Sequence, residues 1–161
     1  MSYSSVCNYS IKNSSIKRLK PKKHSRYKQG IIPESLCKKY YNSCRSEPII
    51  YRSGLELQFI QYCENHPSIV KWASEPIAIK YFSRLDDKEC NYYPDYIIEN
   101  KDGKRCIIEI KPYEQTVKPT INDSDWLKQA WIKNIDKWLA AKKFAAEHNM
   151  SFLIVTEKFF E

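Results

Sequence analysis

The sequence predicts a mixed α/β sandwich. Segments in which apolar residues recur at helical spacing alternate with short runs of β-branched and aromatic residues. Their order along the chain is helix, several strands, helix and strand, which is typical of a sheet packed against helices. The chain has 161 residues, of which 42% are hydrophobic, enough for one domain with its own core.

The first long helix is predicted at Leu55–Asn65, where apolar residues recur at helical spacing. Ser53 is a favourable N-cap for it, and Pro67 follows its end. A shorter helix is predicted to begin after Pro33. Residues 34–161 are therefore assigned to the folded domain.

Strands are predicted at Ile69–Ala73 and Ile77–Phe82, which are rich in residues that favour extended backbone. The charged segment Ser83–Asn91 is predicted to be a turn. Tyr92–Ile98 is the next predicted strand, and it carries Pro94 and Asp95.

Asn100–Gly103 has the composition of a tight hairpin turn and leads into a predicted strand at Lys104–Lys111. A long helix is predicted at Asp125–His148. The apolar run Phe152–Thr156 is predicted to be a strand at a buried position in the sheet.

The N-terminal arm, residues 1–33, carries all of the excess charge. The chain has 27 basic and 19 acidic residues, and this arm contains eight basic residues and no acidic one. Such a block favours binding to phosphates, and the alternative is a solubilising, disordered tail. The predicted DNA-binding residues are Lys17, Arg18, Lys20, Lys22, Lys23 and Arg26.

Several function classes are disfavoured by the composition. Three glycines leave little room for a nucleotide-binding loop, and no apolar run is long enough to span a membrane. The N-terminus lacks the apolar stretch of a secretory signal, so the six scattered cysteines are interpreted as reduced thiols in a cytosol-like compartment. A zinc site that includes Cys37 and Cys44 is a minor alternative.

Three residues around the predicted hairpin carry the chemistry. Glu109 and Lys111 are two apart, so they share one face of their strand, while Ile108 and Ile110 share the other. Pairing across the hairpin brings Asp95 close to Glu109. Two adjacent carboxylates repel each other unless a cation lies between them. The alternatives are a turn role for Asp95 and an exposed edge-strand face for Glu109 and Lys111.

A divalent cation resolves this repulsion. Mg²⁺, with Mn²⁺ as a substitute, is commonly held by one or two carboxylates together with water and phosphate oxygens. Asp95 and Glu109 are the predicted ligands, and the Ile110 main-chain carbonyl could add a further oxygen. Lys111 would position water or stabilise charge on a phosphate. The group predicts phosphodiester hydrolysis.

Two further residues are candidates for the site. Glu56 could reach the metal from the helix, but Ser53 and Glu56 also match a capping box. Gln115 follows the strand that carries Lys111 and could contact DNA or water.

With these motifs in place, residues 45–161 resemble the head-completion nucleases of large contractile-tailed phages. The similarity lies in three runs: IIYRSGLELQFIQYCENHPSIVKWASEPIAIKY, NYYPDYIIENKDGKRCIIEIKPYEQTVKP and WIKNIDKWLAAKKFAAEHNMSFLIVTEKFF. The sequence also resembles the N-terminal catalytic domain of TnsA-type transposon endonucleases, in the PD-(D/E)XK superfamily. Those enzymes often have Gln where Glu109 stands, and they carry a further partner-binding domain that we do not expect after Glu161.

The resemblance implies a restriction-endonuclease-like fold, in which a mixed sheet is flanked by helices, and Mg²⁺-dependent DNA cleavage. The family's acidic helix residue corresponds to Glu56, its P-D aspartate to Asp95, and its E-x-K pair to Glu109 and Lys111.

Three functions are therefore expected, in descending order. The first is an Mg²⁺-dependent endodeoxyribonuclease that cuts double-stranded DNA during phage head completion or packaging. It would work in the cytoplasm of the infected cell, with the virion as a second location, and phage portal or head proteins are candidate partners. The second is a TnsA-like transposon-end or repair endonuclease. The third is a catalytically silent DNA-binding structural protein of the virion.

Overall fold

The computed structural model describes residues 28–41 and 49–161, and these residues form two compact units. The first unit comprises the described residues up to Ser74 together with Ile98–Lys104. The second comprises Glu75–Ile97 and Arg105–Glu161. Most of the predicted arm, including its six predicted DNA-binding residues, lies outside the described residues.

The first unit contains an antiparallel pair, β1 (Gly30–Ile32) with β2 (Ile49–Tyr51), then helix α1 (Gly54–Asn65) and strand β3 (Ile69–Ser74). Gly30 lies opposite Tyr51, and a Cβ atom at Gly30 would come within 2.4 Å of the Tyr51 hydroxyl, so the position requires glycine. Strand β1 falls within the range predicted to be a disordered arm. The short helix expected after Pro33 is a 3-10 helix at Glu34–Leu36.

The prediction of α1 is confirmed. The Ser53 hydroxyl accepts a hydrogen bond from the main-chain N–H of Glu56, and the helix buries Phe59, Ile60 and Cys63. Within the same unit, Trp72 is buried on β3 and donates from Nε1 to the Glu64 carboxylate at 2.7 Å.

The second unit contains the hairpin of β4 (Ile79–Ser83) and β5 (Lys88–Tyr92), the long helix α2 (Asp125–Glu147), and the strands β7 (Arg105–Ile110) and β8 (Met150–Val155). Strand β6 (Tyr96–Asn100) contributes its beginning to this unit and its end to the first. In the strand order of its sheet, β6 stands between β3 and β7. Strands β7 and β8 are parallel, so parallel and antiparallel pairing both occur. This α/β architecture is the expected restriction-endonuclease-like class.

The core of the second unit lies where α2 covers the strands. Its buried residues are Ile79, Tyr81, Tyr92, Ile97, Ile107, Ala141 and Ala145. Asp136 on α2 accepts hydrogen bonds from the main-chain N–H and the side-chain Nε of Arg84, at 3.0 and 2.7 Å. These bonds attach the β4–β5 turn to the helix and thereby help to fix the position of β5.

The long helix α2 was predicted correctly. Ser124 is its N-cap, and Asn149 follows its end with a φ of 54°, the left-handed conformation that commonly terminates a helix. No helix in the described part of the chain is both long and apolar enough to cross a membrane.

Two strand predictions were wrong. Ser83–Asn91 was predicted to be a turn but contains most of β5, whose mainly exposed polar residues are held extended by hydrogen bonds to β4. The run Phe152–Thr156 was predicted to be a buried strand, but β8 is the last strand in the order of its sheet and Leu153 is 44% exposed.

Candidate active site

The candidate active site lies at the end of β7, in the second unit. Asp95 immediately precedes β6, and its Oδ2 accepts a hydrogen bond of 2.7 Å from the main-chain N–H of Ile110. The main-chain carbonyl of Asp95 accepts a further bond of 2.9 Å from the N–H of Glu75, a residue with a positive φ of 44°. The Asp95 carboxylate is therefore directed at the peptide group that joins Glu109 to Ile110.

Glu109 is buried, with only 4% of its surface exposed. Its Oε2 accepts a hydrogen bond of 2.5 Å from the Tyr92 hydroxyl, and its Oε1 forms an ion pair of 3.0 Å with the Lys111 ammonium. Asp95, Glu109 and Lys111 therefore lie together, as the hairpin geometry predicted.

Residues on both faces of β7 are buried around Glu109. Ile108 and Ile110 are buried as predicted, but Ile107, which points to the same face as Glu109, is also fully buried. The alternative of an exposed edge-strand face for Glu109 is thus wrong. A charged group at this depth is costly unless it is paired and hydrogen-bonded, and both kinds of partner are present.

Tyr92 was not predicted to belong to the site. The sequence placed it at the start of a strand at Tyr92–Ile98, but it is the last residue of β5, and β6 begins only at Tyr96. Burial raises the pKa of the Tyr92 hydroxyl well above the ordinary value, and the negative charge of Glu109 raises it further. Tyr92 therefore remains a neutral donor to Glu109 throughout the working pH range. A tyrosine two residues before Pro94 was the available sequence signal.

Lys137 on α2 was also missed. Its Nζ lies 5.7 Å from the centroid of the Tyr92 ring. Burial lowers the pKa of Lys137, and the charge of Glu109 partly offsets this effect. Lys137 lies one helical turn before Ala141 and two turns before Ala145, on the face of α2 that packs against the core. This spacing was the available sequence signal.

The backbone around Lys111 is held by the C-terminal segment. The Lys111 N–H donates to the Val155 carbonyl at 3.0 Å, and the Tyr113 N–H donates to the Glu157 carboxylate at 2.8 Å. The Lys158 ammonium lies over the Tyr113 ring, 3.1 Å from its centroid. The chain on both sides of Pro112 is thereby anchored.

Glu56 lies in the first unit and forms the capping box that was its alternative role. Its carboxylate accepts hydrogen bonds from the Arg52 N–H at 2.8 Å and from the Ser53 hydroxyl at 3.2 Å. A metal or catalytic role for Glu56 stays a prediction. Gln115 lies in a 3-10 helix at Tyr113–Thr116 and is half-buried, and its proposed contact with DNA or water also stays a prediction.

The donor set can be compared with what different metals require. No group of three or more His, Cys, Asp or Glu side chains arranged to hold a metal occurs within residues 28–41 and 49–161. The two carboxylates at Asp95 and Glu109 instead fit Mg²⁺, which needs few protein ligands and keeps several waters. For the zinc alternative, Cys44 lies outside the described residues, and burial raises the pKa of the Cys37 thiol, which disfavours the thiolate that zinc requires.

The chain is similar to known nucleases. Residues 66–157, more than half of the chain, match the family described as TnsA-like endonuclease N terminal. The chain is also 34% identical over 124 residues to the "Head completion nuclease" of Enterobacteria phage T4, an alignment that covers 70% of this chain and 83% of that protein. The family match includes Asp95, Glu109 and Lys111, and it begins after Glu56. The chain belongs to the TnsA-like endonuclease N-terminal family.

Proposed function

We propose that the chain is a metal-dependent DNA endonuclease that acts on double-stranded DNA during phage head completion or packaging. One observation carries the proposal: Asp95 is bonded to the peptide that joins Ile110 to Glu109, and Lys111 pairs with the Glu109 carboxylate. This brings two carboxylates and an ammonium together at the end of one strand. The similarity to a head completion nuclease supports the biological setting.

Asp95 and Glu109 would hold Mg²⁺, or Mn²⁺ in its place, with the Ile110 carbonyl as a further oxygen. When bound, the ion would supply Lewis-acid activation for the attack of water on the phosphodiester. Both oxygens of Glu109 already have partners, Tyr92 and Lys111. Without a metal ion, the Lys111 ammonium balances the charge of the carboxylate.

Lys111 is suited to act on the substrate. Its side chain is 26% exposed, so the ammonium can reach a phosphate oxygen while the backbone stays fixed to β8. There it would position the attacking water and stabilise the negative charge that develops on the phosphate. Hydrolysis forms a bond between the water oxygen and phosphorus and breaks the bond to a deoxyribose oxygen, which takes up a proton.

The basic arm and the other proposed residues complete this function. The arm would bind backbone phosphates through its lysines and arginines, Gln115 would contact DNA or water, and Glu56 is the fourth proposed catalytic residue. We further propose action in the cytoplasm of the infected cell or in the virion, with portal or head proteins as partners.

Cleavage of supercoiled plasmid tests the proposal. We expect nicked or linear product with Mg²⁺ or Mn²⁺, no product with EDTA, and a loss of at least about 1,000-fold in Asp95→Asn. Asp125→Asn is the matched control, because the Asp125 side chain is 93% exposed at the start of α2. Full activity in Asp95→Asn would contradict the assignment.

A second candidate is favoured by the family match itself: a TnsA-like endonuclease that acts at transposon ends or in repair. Cleavage of several plasmids with unrelated sequences separates the two, since a transposon-end enzyme should require its own end sequence. A third candidate, a silent DNA-binding virion protein, predicts DNA binding without cleavage and without binding of divalent ions in calorimetry.

A further inference from the structure

Lys137 is an unusual lysine for a helix surface. It lies on the stripe of α2 that contains Ala141 and Ala145, which are 0% and 2% exposed, and its own side chain is half-buried. One turn earlier, Lys133 is paired with Asp86 at 2.9 Å, which attaches α2 to the β4–β5 turn. Lys137 has no carboxylate within ion-pair distance among the described residues, so its charge is not explained by such an attachment.

The ammonium of Lys137 is close to the candidate active site. It lies over the Tyr92 ring, 5.7 Å from its centroid, and the hydroxyl of the same ring is bonded to Glu109. The charged groups that act on Lys137 are Glu109 and Asp95, which favour its charge, and Lys111 and Lys133, which oppose it. The charge of Lys137 thus interacts with both candidate metal ligands.

Partial burial makes an ammonium less stable unless an anion compensates for the lost water. The direct partner of Lys111 is Glu109, at 3.0 Å. Lys137 instead lies over the face of the Tyr92 ring, which attracts a cation weakly. The arrangement leaves Lys137 able to bind an anion that enters the site, and a DNA phosphate is such an anion.

We propose that Lys137 binds a DNA backbone phosphate at the active site and acts together with Lys111, so that two cations from different elements hold the substrate beside the carboxylates. The proposal rests on the proposed nuclease function. It assigns the α2 lysine to substrate and not to stabilisation of the fold.

A structural role for the same lysine makes different predictions. If Lys137 served only to balance the charge of Glu109, its removal would destabilise the protein and leave the salt dependence of DNA binding unchanged. If it contacts phosphate, its removal releases fewer counterions on binding, and the slope of log K against log salt concentration decreases by about 0.9.

The experiment uses Lys137→Met, which keeps an apolar stem and removes the charge, with Lys137→Arg as the variant that keeps it. Lys143→Met is the matched control, because it makes the same change on an exposed part of α2, where the Lys143 side chain is 79% exposed. Binding to a short duplex is measured by fluorescence anisotropy in EDTA over a range of salt concentrations. Cleavage is measured separately under single-turnover conditions with Mg²⁺.

We expect Lys137→Met to reduce the salt slope by about 0.9 and the cleavage rate by about 10- to 100-fold, with Lys137→Arg retaining the wild-type slope. An unchanged slope in a folded Lys137→Met, or an equal decrease in Lys143→Met, would overturn the inference. If Lys137→Met does not fold, Lys137→Gln replaces it: a slope reduced by about 0.9 supports the proposal, and an unchanged slope overturns it. A wild-type protein that binds DNA but never cleaves it would contradict the nuclease proposal alone.

Discussion

The N-terminus of α1 and the end of β7 each contain a glutamate whose two carboxylate oxygens are hydrogen-bonded, yet the partners are of different kinds. Glu56 bonds to Arg52 and Ser53, which precede it by four and three residues. Glu109 is 4% exposed and bonds to Tyr92, 17 residues away on another strand, and to Lys111.

Glu56 stabilises the local structure of a helix end, whereas the burial of the Glu109 carboxylate is unfavourable by itself. Capping contacts form wherever the helix begins, and they satisfy main-chain donors that the helix leaves unpaired. Burying a carboxylate is unfavourable without dedicated partners, and the tertiary structure supplies Glu109 with a tyrosine and a lysine. These partners support the proposed functional role of Glu109.

The largest expected effect comes from Glu109→Gln, which keeps the shape and removes the charge. Cleavage should fall by at least about 1,000-fold, because the proposed ligand of the divalent cation loses its charge. The protein should remain folded, although less stable, because the amide keeps the shape of the side chain and the partly exposed Lys111 ammonium can be solvated by water once its partner is neutral. Single-turnover cleavage and thermal unfolding measure the two quantities, with Glu56→Gln as the control. Equal loss of cleavage in both variants would show that Glu56 is also a catalytic residue. The two glutamates would then not differ in function.

A smaller effect is expected from Tyr92→Phe, which removes the distant partner of Glu109. Loss of a hydrogen bond to a buried charge should lower the free energy of unfolding by about 1.5–3 kcal/mol, measured by urea denaturation. Cleavage should fall by about tenfold as the carboxylate loses its orientation.

Tyr81→Phe is the matched control for Tyr92→Phe, because Tyr81 is buried in the same core on the neighbouring strand β4. If both variants lose the same stability and the same activity, the bond between Tyr92 and Glu109 has no special role.

The smallest effect is expected from Ser53→Ala and Glu56→Ala. Each removes part of the capping box of α1 and should lower the free energy of unfolding by about 1 kcal/mol. If Glu56 serves only as a cap, cleavage in both variants should stay within about threefold of wild type at a temperature where all are folded. A far larger loss of cleavage in Glu56→Ala than in Ser53→Ala would instead establish the predicted catalytic role.

Much of the site could be predicted because its signals are local. The two-residue spacing of Glu109 and Lys111 and the turn at Asn100–Gly103 define which residues share a face and where the chain reverses. These signals led correctly to Asp95 beside Glu109. The burial of Glu109 could not be predicted, because it depends on tertiary packing with partners such as Tyr92, which is 17 residues away in the chain.

The sequence by itself determined the two helices, the hairpin turn and the Asp95, Glu109 and Lys111 group, since periodicity and turn composition act within a few residues. Only the tertiary structure decided that the polar segment Lys88–Tyr92 is a strand, that β8 lies at the edge, and that Tyr92 and Lys137 lie near Glu109. Each of these outcomes depends on which elements pair or pack together. Such contacts join residues far apart in the chain, and no local pattern records them.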